Sequence, residues 1–224
     1  MSNGSKWRGV IERSPGRLTF TGRLGSADFH AHAAVQVVQV QRGFVDLHVD
    51  GKAARVEGAV MISTNIPHAL VAGPEAWGSV TYVDSELVGG SLPRLDFDAA
   101  EVESWFPQLV ASDSLHPTLE RAIERSRELV SESLLLKDLA AEVGISSSRL
   151  GHLFAEQLGL SYPKWRRWTR LEQALIEVIS GASLTEAAHA AGFADSAHLT
   201  RTCRQMFGIS PSEALVAVQG VLEA

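Results

Sequence analysis

Residues 136–144, LKDLAAEVG, and residues 184–192, LTEAAHAAG, are two copies of one pattern. In the first, Leu136, Leu139, Ala140 and Val143 fall at i, i+3, i+4 and i+7. Leu184, Ala187, Ala188 and Ala191 do the same in the second. That spacing gathers the apolar side chains on one buried stripe of a helix. The closing glycines, Gly144 and Gly192, suit the left-handed residue that ends a helix. The likeness begins at an offset of 48 and, after one extra residue in the second turn, resumes at 49. Leu150 then matches Leu199, Phe154 matches Cys203, Gly159 matches Gly208, Leu160 matches Ile209 and Ser161 matches Ser210. A short helix, a glycine turn and a second helix make a helix-turn-helix, whose second helix can enter the DNA major groove. Two in tandem predict one rigid body that reads two stretches of one DNA face.

The residues around the copies complete a helical domain. Leu119, Ile123, Arg127 and Val130 mark a preceding helix. Ser146 or Ser147 can cap the helix whose inner face is Leu150, Leu153, Phe154 and Leu158. Ser161 is placed to cap a long helix, with Pro163 in its first turn, that runs to about Ser180 and is ended by Gly181. About 20 residues at 1.5 Å rise span roughly 30 Å, close to the ~34 Å between major-groove faces one turn apart. Asp195 can cap a helix to Phe207 with Leu199, Cys203, Met206 and Phe207 inside, and a last helix follows from Pro211 to about Val218.

Toward the N-terminus the period changes from a helix's to a strand's. Arg17–Leu24, Val35–Gln41, Phe44–Asp50, Arg55–Val56, Ala59–Ser63, His68–Val71 and Ser79–Val83 are short, rich in β-branched residues and broken by glycine or proline. Asp50–Gly51 is a favoured two-residue hairpin turn. Many short strands at close spacing predict an all-β sandwich or barrel. The predicted organisation is therefore a β domain over residues 1–90 and a linker over 91–114. That linker carries a short helix, Ala99–Val110, which is a candidate dimer contact. An all-α domain follows over 115–224, with helix-turn-helix units at about 134–158 and 182–208.

Composition narrows the classes. At 45% apolar and 21% charged residues the chain reads as a folded domain protein. No apolar run approaches a membrane helix, and the first residues lack the apolar stretch of a secretion signal. The single cysteine, Cys203, excludes an internal disulfide and suggests a reducing compartment, with the cytoplasm expected. Burial in the core is the expected role of this thiol rather than redox sensing. The net charge is −6, with nine basic and thirteen acidic residues up to Asp113, and eleven and thirteen beyond it. DNA binding then requires a local positive face. Lys164, Arg166, Arg167, Arg170, Arg201 and Arg204 are the candidates, while many acids fall on Glu120–Glu132.

The C-terminal half resembles the DNA-binding domain of the AraC/XylS family of bacterial transcription regulators. The resemblance rests on Leu139-Ala140, Gly144-Ile145-Ser146, Leu150, Leu153-Phe154, Gly159 and Pro163, and on Arg170-Leu171-Glu172-Gln173-Ala174 in the long helix. It continues through Ala187-Ala188, Ala191-Gly192-Phe193-Ala194-Asp195, Leu199-Thr200-Arg201 and Phe207-Gly208-Ile209-Ser210-Pro211-Ser212. It covers about 100 residues. It implies that Ser148, Arg149, Gly151 and His152 form the DNA-facing side of the first recognition helix. In the second, it implies Ser196, Ala197, His198, Thr200 and Arg201, with Arg204 nearer the phosphates; Arg167, of the basic face on the long helix, is expected to bind DNA without regard to sequence. Arginine makes bidentate contacts to guanine, and serine or threonine can meet several bases. Gly151 stands where the family often has a longer side chain, so the first unit is expected to read less sequence than the second.

The β half resembles a cupin, the usual effector domain of that family. His30-x-His32-x-x-x-Gln36, followed by Gly43, is similar to the first cupin motif, with Gln36 where a carboxylate often stands. Gly58 and Pro67-His68 are similar to the second. The resemblance implies an effector pocket from His30, His32, Gln36, Phe44, His68 and Tyr82, with Trp77 and Leu70 as further walls. His30, His32, Gln36 and His68 also make a candidate set for zinc, nickel or iron(II). A metal-free ligand pocket and a filled barrel stay open beside it. The expectation is an effector-controlled, sequence-specific DNA-binding regulator and not an enzyme. Its expected partners are double-stranded DNA, RNA polymerase, a small molecule and a second copy of the chain, with no membrane. A metal-dependent cupin enzyme fused to a DNA-binding domain, and a constitutive regulator without ligand, are the alternatives.

Overall fold

The structure is a computed structural model and describes residues 6–88, 94–97 and 115–218. Ten strands come first: β1 (Arg8–Ser14), β2 (Arg17–Arg23), β3 (Ala27–His30), β4 (Ala34–Arg42) and β5 (Val45–Val49). They continue as β6 (Lys52–Val56), β7 (Ala59–Ile62), β8 (His68–Ala72), β9 (Trp77–Asp84) and β10 (Leu95–Asp96). β1-β2-β9-β4-β7-β10 form one sheet and β3-β8-β5-β6 the other, with antiparallel pairing throughout. Asp50 and Gly51 both take positive φ, 51° and 73°, which closes the β5–β6 hairpin as the sequence leads one to expect.

Alternation sorts β4 between two cores. Val38 and Val40 point inward with Val60 and Val80, and meet Val45, Leu47, Val49 and Leu70 of the smaller sheet. Val35 and Val37 fall on the opposite face with Met61, Val83 and Val88. A strand buried on both faces carries apolar residues at odd and even positions alike, as residues 34–40 do apart from Gln36 and Gln39. β1, RGVIERS, and β3, ADFH, lie outside the expected strands. The first is a mostly polar edge and the second only four residues long, so neither carries a clear period.

The helices are α1 (Pro117–Glu128), α2 (Leu136–Glu142), α3 (Ser147–Leu158) and α4 (Tyr162–Ile179), then α5 (Leu184–Ala190), α6 (Ser196–Phe207) and α7 (Pro211–Val218). Ser146 and Asp195 accept the capping bonds of α3 and α6. Ser183 and Glu186 form a reciprocal capping box on α5. Ser161 occupies the cap position of α4, but its hydroxyl makes no capping bond. α1 ends at Glu128, before Val130, and the expected Ala99–Val110 helix lies outside the described residues. The stripe residues Leu139, Ala140, Ala187 and Ala188 enter one core with Leu150, Phe154, Trp165, Trp168, Leu171 and Leu199. Cys203 belongs to that core, and burial pushes its thiol up to about 12.

The two halves share their cores. Ala33 and Ala34 of the β half sit in the helical core with Tyr82 against it, while Ala217 of α7 enters the sandwich core beside Ile209. Two backbone bonds stitch the seam: Asp28 N–H to the Gly208 carbonyl at 3.0 Å, and Ala31 N–H to the Gln205 carbonyl at 3.0 Å. The β half is thus held directly on the last turn of α6.

Candidate functional site

The second helix of each helix-turn-helix turns its inner face into the core and leaves an outward face open. On α3, Leu150, Leu153 and Phe154 are buried; Ser148, Arg149 and His152 are exposed, and Gly151 is partly so. On α6, Leu199, Cys203 and Phe207 are buried; Ala197, Arg201 and Arg204 are exposed, and Ser196, His198 and Thr200 partly so. All the side chains implied to face DNA therefore reach the surface. Thr200 Oγ1 donates to the Ser196 carbonyl at 2.8 Å, and His198 lies edge-on to Phe193. Arg149 approaches Glu156 at 3.7 Å, an exposed pair of small energetic weight.

The basic face is smaller than the sequence suggests. Arg166 is only 5% exposed. It donates to the carbonyl and hydroxyl of Ser126 and to the carbonyls of Leu129 and Glu132. Arg170 donates to the carbonyls of Val130 and Glu132. Both arginines satisfy carbonyls left open at the end of α1, where the helix dipole favours a cation. Arg166 is thereby turned away from phosphate and Arg170 is held on backbone carbonyls, and burial lowers both pKa values. Lys164 reaches Asn65 of the β half at 2.9 Å. Arg167, Arg201 and Arg204 remain exposed. Helical spacing alone did not separate the inward from the outward arginines, because an arginine stem can lie on either face.

The expected pocket residues divide. His30, His32, Gln36 and His68 are buried together at the seam, at 4%, 2%, 0% and 0% exposure. His32 Nε2 and His68 Nε2 lie 3.0 and 2.8 Å from Gln36 Oε1, whose amide nitrogen donates to the Tyr82 hydroxyl at 3.3 Å. Burial, helped by the neighbouring imidazoles, pushes His30 down to about 3 and His68 down to about 2. Burial lowers His32 too, against its bonds to Gln36 and Ala34. All three are neutral imidazoles at physiological pH. Burial raises the Tyr82 phenol well above its ordinary range.

Phe44 does not join this group; it packs on Gly73 under the Arg55 guanidinium, 3.6 Å from the ring centre. Trp77 is 40% exposed with Arg42 near its face, and Leu70 is sandwich core. Strand alternation fixes a face but not which end of the sandwich a residue occupies, so Phe44 and Trp77 passed as pocket walls. Two aromatics not anticipated there, Trp168 of α4 and Phe207 of α6, pack against Tyr82, and Trp168 also against His32. Their signal was present as i, i+3 aromatic spacing in Trp165 and Trp168, which reads equally as plain helical core.

Charged groups lock the other edge of the seam. Asp84, which ends β9, accepts from Trp168 Nε1 at 2.9 Å and from Arg127 at 2.7 Å. Arg127 also pairs with Glu86, and Trp165 Nε1 donates to Glu86 at 3.1 Å. Nearby, a mostly apolar cavity separates the larger sheet from α4, α6 and α7, walled by Trp7, Ile11, Phe20, Tyr82, Leu175 and Phe207. A more polar cavity shares Ile11, Leu18, Leu175 and Ile179 with it and brings Arg13, Arg17 and Arg127 to its edge.

Residues 139–215 match the model of a helix-turn-helix domain family. Over 110 residues the chain is 32% identical to the arabinose operon regulatory protein of Salmonella typhimurium, and over 108 residues 32% identical to that of Escherichia coli. The C-terminal half thus carries a helix-turn-helix domain and is similar over it to these operon regulators. Each match covers 46% of this chain but only 39% and 37% of the relatives, so the chain spans about two fifths of their length. Among solved structures, Vibrio cholerae ToxT with bound unsaturated fatty acid aligns over 94% of this chain and 98% of its own. The TM-score is 0.63 at 13% identity; a second ToxT structure gives 0.64 at 12%. That likeness shows the fold across both halves, an N-terminal β domain followed by a helical domain. Among the described residues no helix is long and apolar enough to cross a membrane.

Proposed function

We propose that the chain is a sequence-specific DNA-binding transcription regulator controlled by a small molecule. The observation that carries this reading is the pair of helix-turn-helix units on α4, each with its recognition face open. The matched relatives named for operon regulation support it, and no part of the reading calls for catalysis. The apolar seam cavity adjoins a more polar one that carries Arg13 and Arg17 beside the Arg127–Asp84–Glu172 cluster, and together they suit a molecule with an apolar body and a polar, anionic end. The fatty acid held by ToxT has that character. A ligand there touches both halves at once, so it discriminates between arrangements of the seam and shifts their populations. RNA polymerase contact, a homodimer and a cytoplasmic site of action complete the proposal.

The test is selection of binding sites from a random DNA pool with the full-length chain. Enriched sites with two short elements about 10 base pairs apart support the tandem reading. A single enriched element assigns specificity to one unit. No enrichment, with or without a panel of amphipathic acids, rejects the regulator.

A further inference from the structure

Three carboxyl groups and one guanidinium meet where the β half rests on α4. Asp84 ends β9, Glu86 lies in the turn after it, Glu172 projects from α4 and Arg127 from α1. The donors are shared unequally. Asp84 uses both oxygens, accepting from Trp168 Nε1 at 2.9 Å and from Arg127 at 2.7 Å. Glu86 likewise accepts from Trp165 Nε1 at 3.1 Å and from Arg127. Glu172 is left with Arg127 Nη1 at 3.9 Å, beyond hydrogen-bonding distance. Its Oε2 is buried without any hydrogen-bond partner among the described residues. The Glu172 carboxyl instead faces Asp84 within hydrogen-bonding reach. Two carboxylates have no donor to offer each other, so a proton must lie between them. Both Asp84 oxygens already act as acceptors, which puts that proton on Glu172.

We propose that this proton is a latch between the two halves: while Glu172 holds it the seam stays closed, and its loss loosens α4 from β9. Ionisation sets two carboxylates against each other out of water, one from each half. Arg127 is already engaged by Asp84 and Glu86 and offsets little of the added charge. The residues one turn away on α4, Trp168, Thr169, Leu175 and Ile176, carry no charge. Arg13 of β1, exposed, and Arg17 of β2, half-buried, face Glu172 only across the polar cavity, where separation weakens their hold. The repulsion therefore falls between the β half and the helix that joins the two helix-turn-helix units. Burial first, and the Asp84 charge second, hold the Glu172 carboxyl well above the usual glutamate range. The latch is thus set at low pH and released as pH rises through that raised value. A consequence for DNA binding rests on the regulator reading; the latch itself does not.

The experiment follows the glutamate carboxyls of the carbon-labelled full-length chain by NMR, with amide hydrogen exchange in β9 and α4, between about pH 5 and about pH 8. The expected result is one carboxyl that titrates well above the ordinary glutamate range and is missing in Glu172→Gln. At the upper pH, β9 and α4 of the unaltered chain exchange several-fold faster than those of Glu172→Gln; at the lower pH the two chains match. Comparing both chains at one pH cancels the intrinsic dependence of exchange on pH. No such carboxyl, or equal exchange at both pH values, overturns the latch. Where the variant does not fold, the unaltered chain decides. The Trp168 indole N–H resonance must then shift at the same midpoint as the carboxyl, and a different midpoint overturns the proposal. DNA affinity is measured at both pH values. A several-fold change that Glu172→Gln removes supports the coupling, and the same pH dependence in both chains overturns it. Absence of DNA binding throughout overturns the regulator reading and the coupling, while the carboxyl titration still judges the latch.

Discussion

Arg201 and Arg167 are both exposed arginines of the helical half, yet they occupy different elements. Arg201 stands in the middle of α6, where the proposed docking sets a guanidinium against base edges; Arg167 stands on α4, where the same docking sets it nearer the phosphates. Arg201→Ala is expected to lose about 1–3 kcal/mol on the preferred site and relax preference at one position. Arg167→Ala is expected to weaken all sequences alike and reduce the salt slope by about 1. Binding titrations on selected and scrambled DNA at several salt concentrations separate the two; identical behaviour contradicts the docking. Another residue makes the stability of the fold depend on pH. Burial first, and the neighbouring Asp84 carboxylate second, raise the Glu172 pKa well above the ordinary glutamate value, with Arg127 opposing. A carboxyl whose folded pKa is raised contributes stability fully below its unfolded pKa and loses it as pH rises through the folded value. Glu172→Gln mimics the neutral form, so its Tm should match the unaltered chain near pH 4 and exceed it near pH 8. An equal difference at both pH values contradicts this.

The elements show what the sequence makes legible. The helix-turn-helix copies were readable because stripe, glycine and cap recur at fixed offsets: Gly144, Gly159, Gly192 and Gly208 all take positive φ. The seam was not readable, since nothing in local periodicity tells that β3 rests on α6 or that Trp168 meets Asp84. Arg166 and Phe44 went astray for the same reason: a face is legible, but its long-range partner is not. Gly159 and Gly208 expose the difference, being equivalent caps in the two copies. A Cβ at Gly159 approaches only Thr64 Oγ1 at 3.3 Å, whereas one at Gly208 meets the Asp28 carbonyl oxygen at 2.4 Å. Gly159→Ala is therefore expected to cost about 1–2 kcal/mol, from the left-handed backbone alone. Gly208→Ala should cost more, because the seam must open. Gly151 makes the opposite case: its Cβ would touch only Leu136 Cδ2 at 3.5 Å. Gly151→Ala should gain about 1 kcal/mol from helix propensity. Denaturant midpoints rank the three, and a Gly159 variant as damaged as the Gly208 variant refutes the seam argument.

At the scale of the molecule, the question is whether the halves unfold together. A linker between independent domains gives two transitions; a shared core gives one. Ala33, Ala34 and Tyr82 lie on the helical core, and Ala217 lies in the sandwich core, so neither core closes without the other half. The polar edge adds to this, because Asp84 is buried at 2% exposure with Trp168 and Arg127 as its hydrogen-bond partners across the seam. One cooperative transition is expected, with calorimetric and van't Hoff enthalpies in agreement. Trp168→Phe keeps most of the ring and removes the donor to a buried carboxylate, which costs about 1–3 kcal/mol. Because the loss falls on the contact between halves, it should broaden or split the transition as well as lower it. A core substitution far from the seam, such as Leu47→Ala, should lower Tm by a comparable or larger amount while leaving a single transition. Two transitions in the unaltered chain, or one transition in Trp168→Phe as sharp as in Leu47→Ala, would mean that the halves are coupled by contact but not by energy.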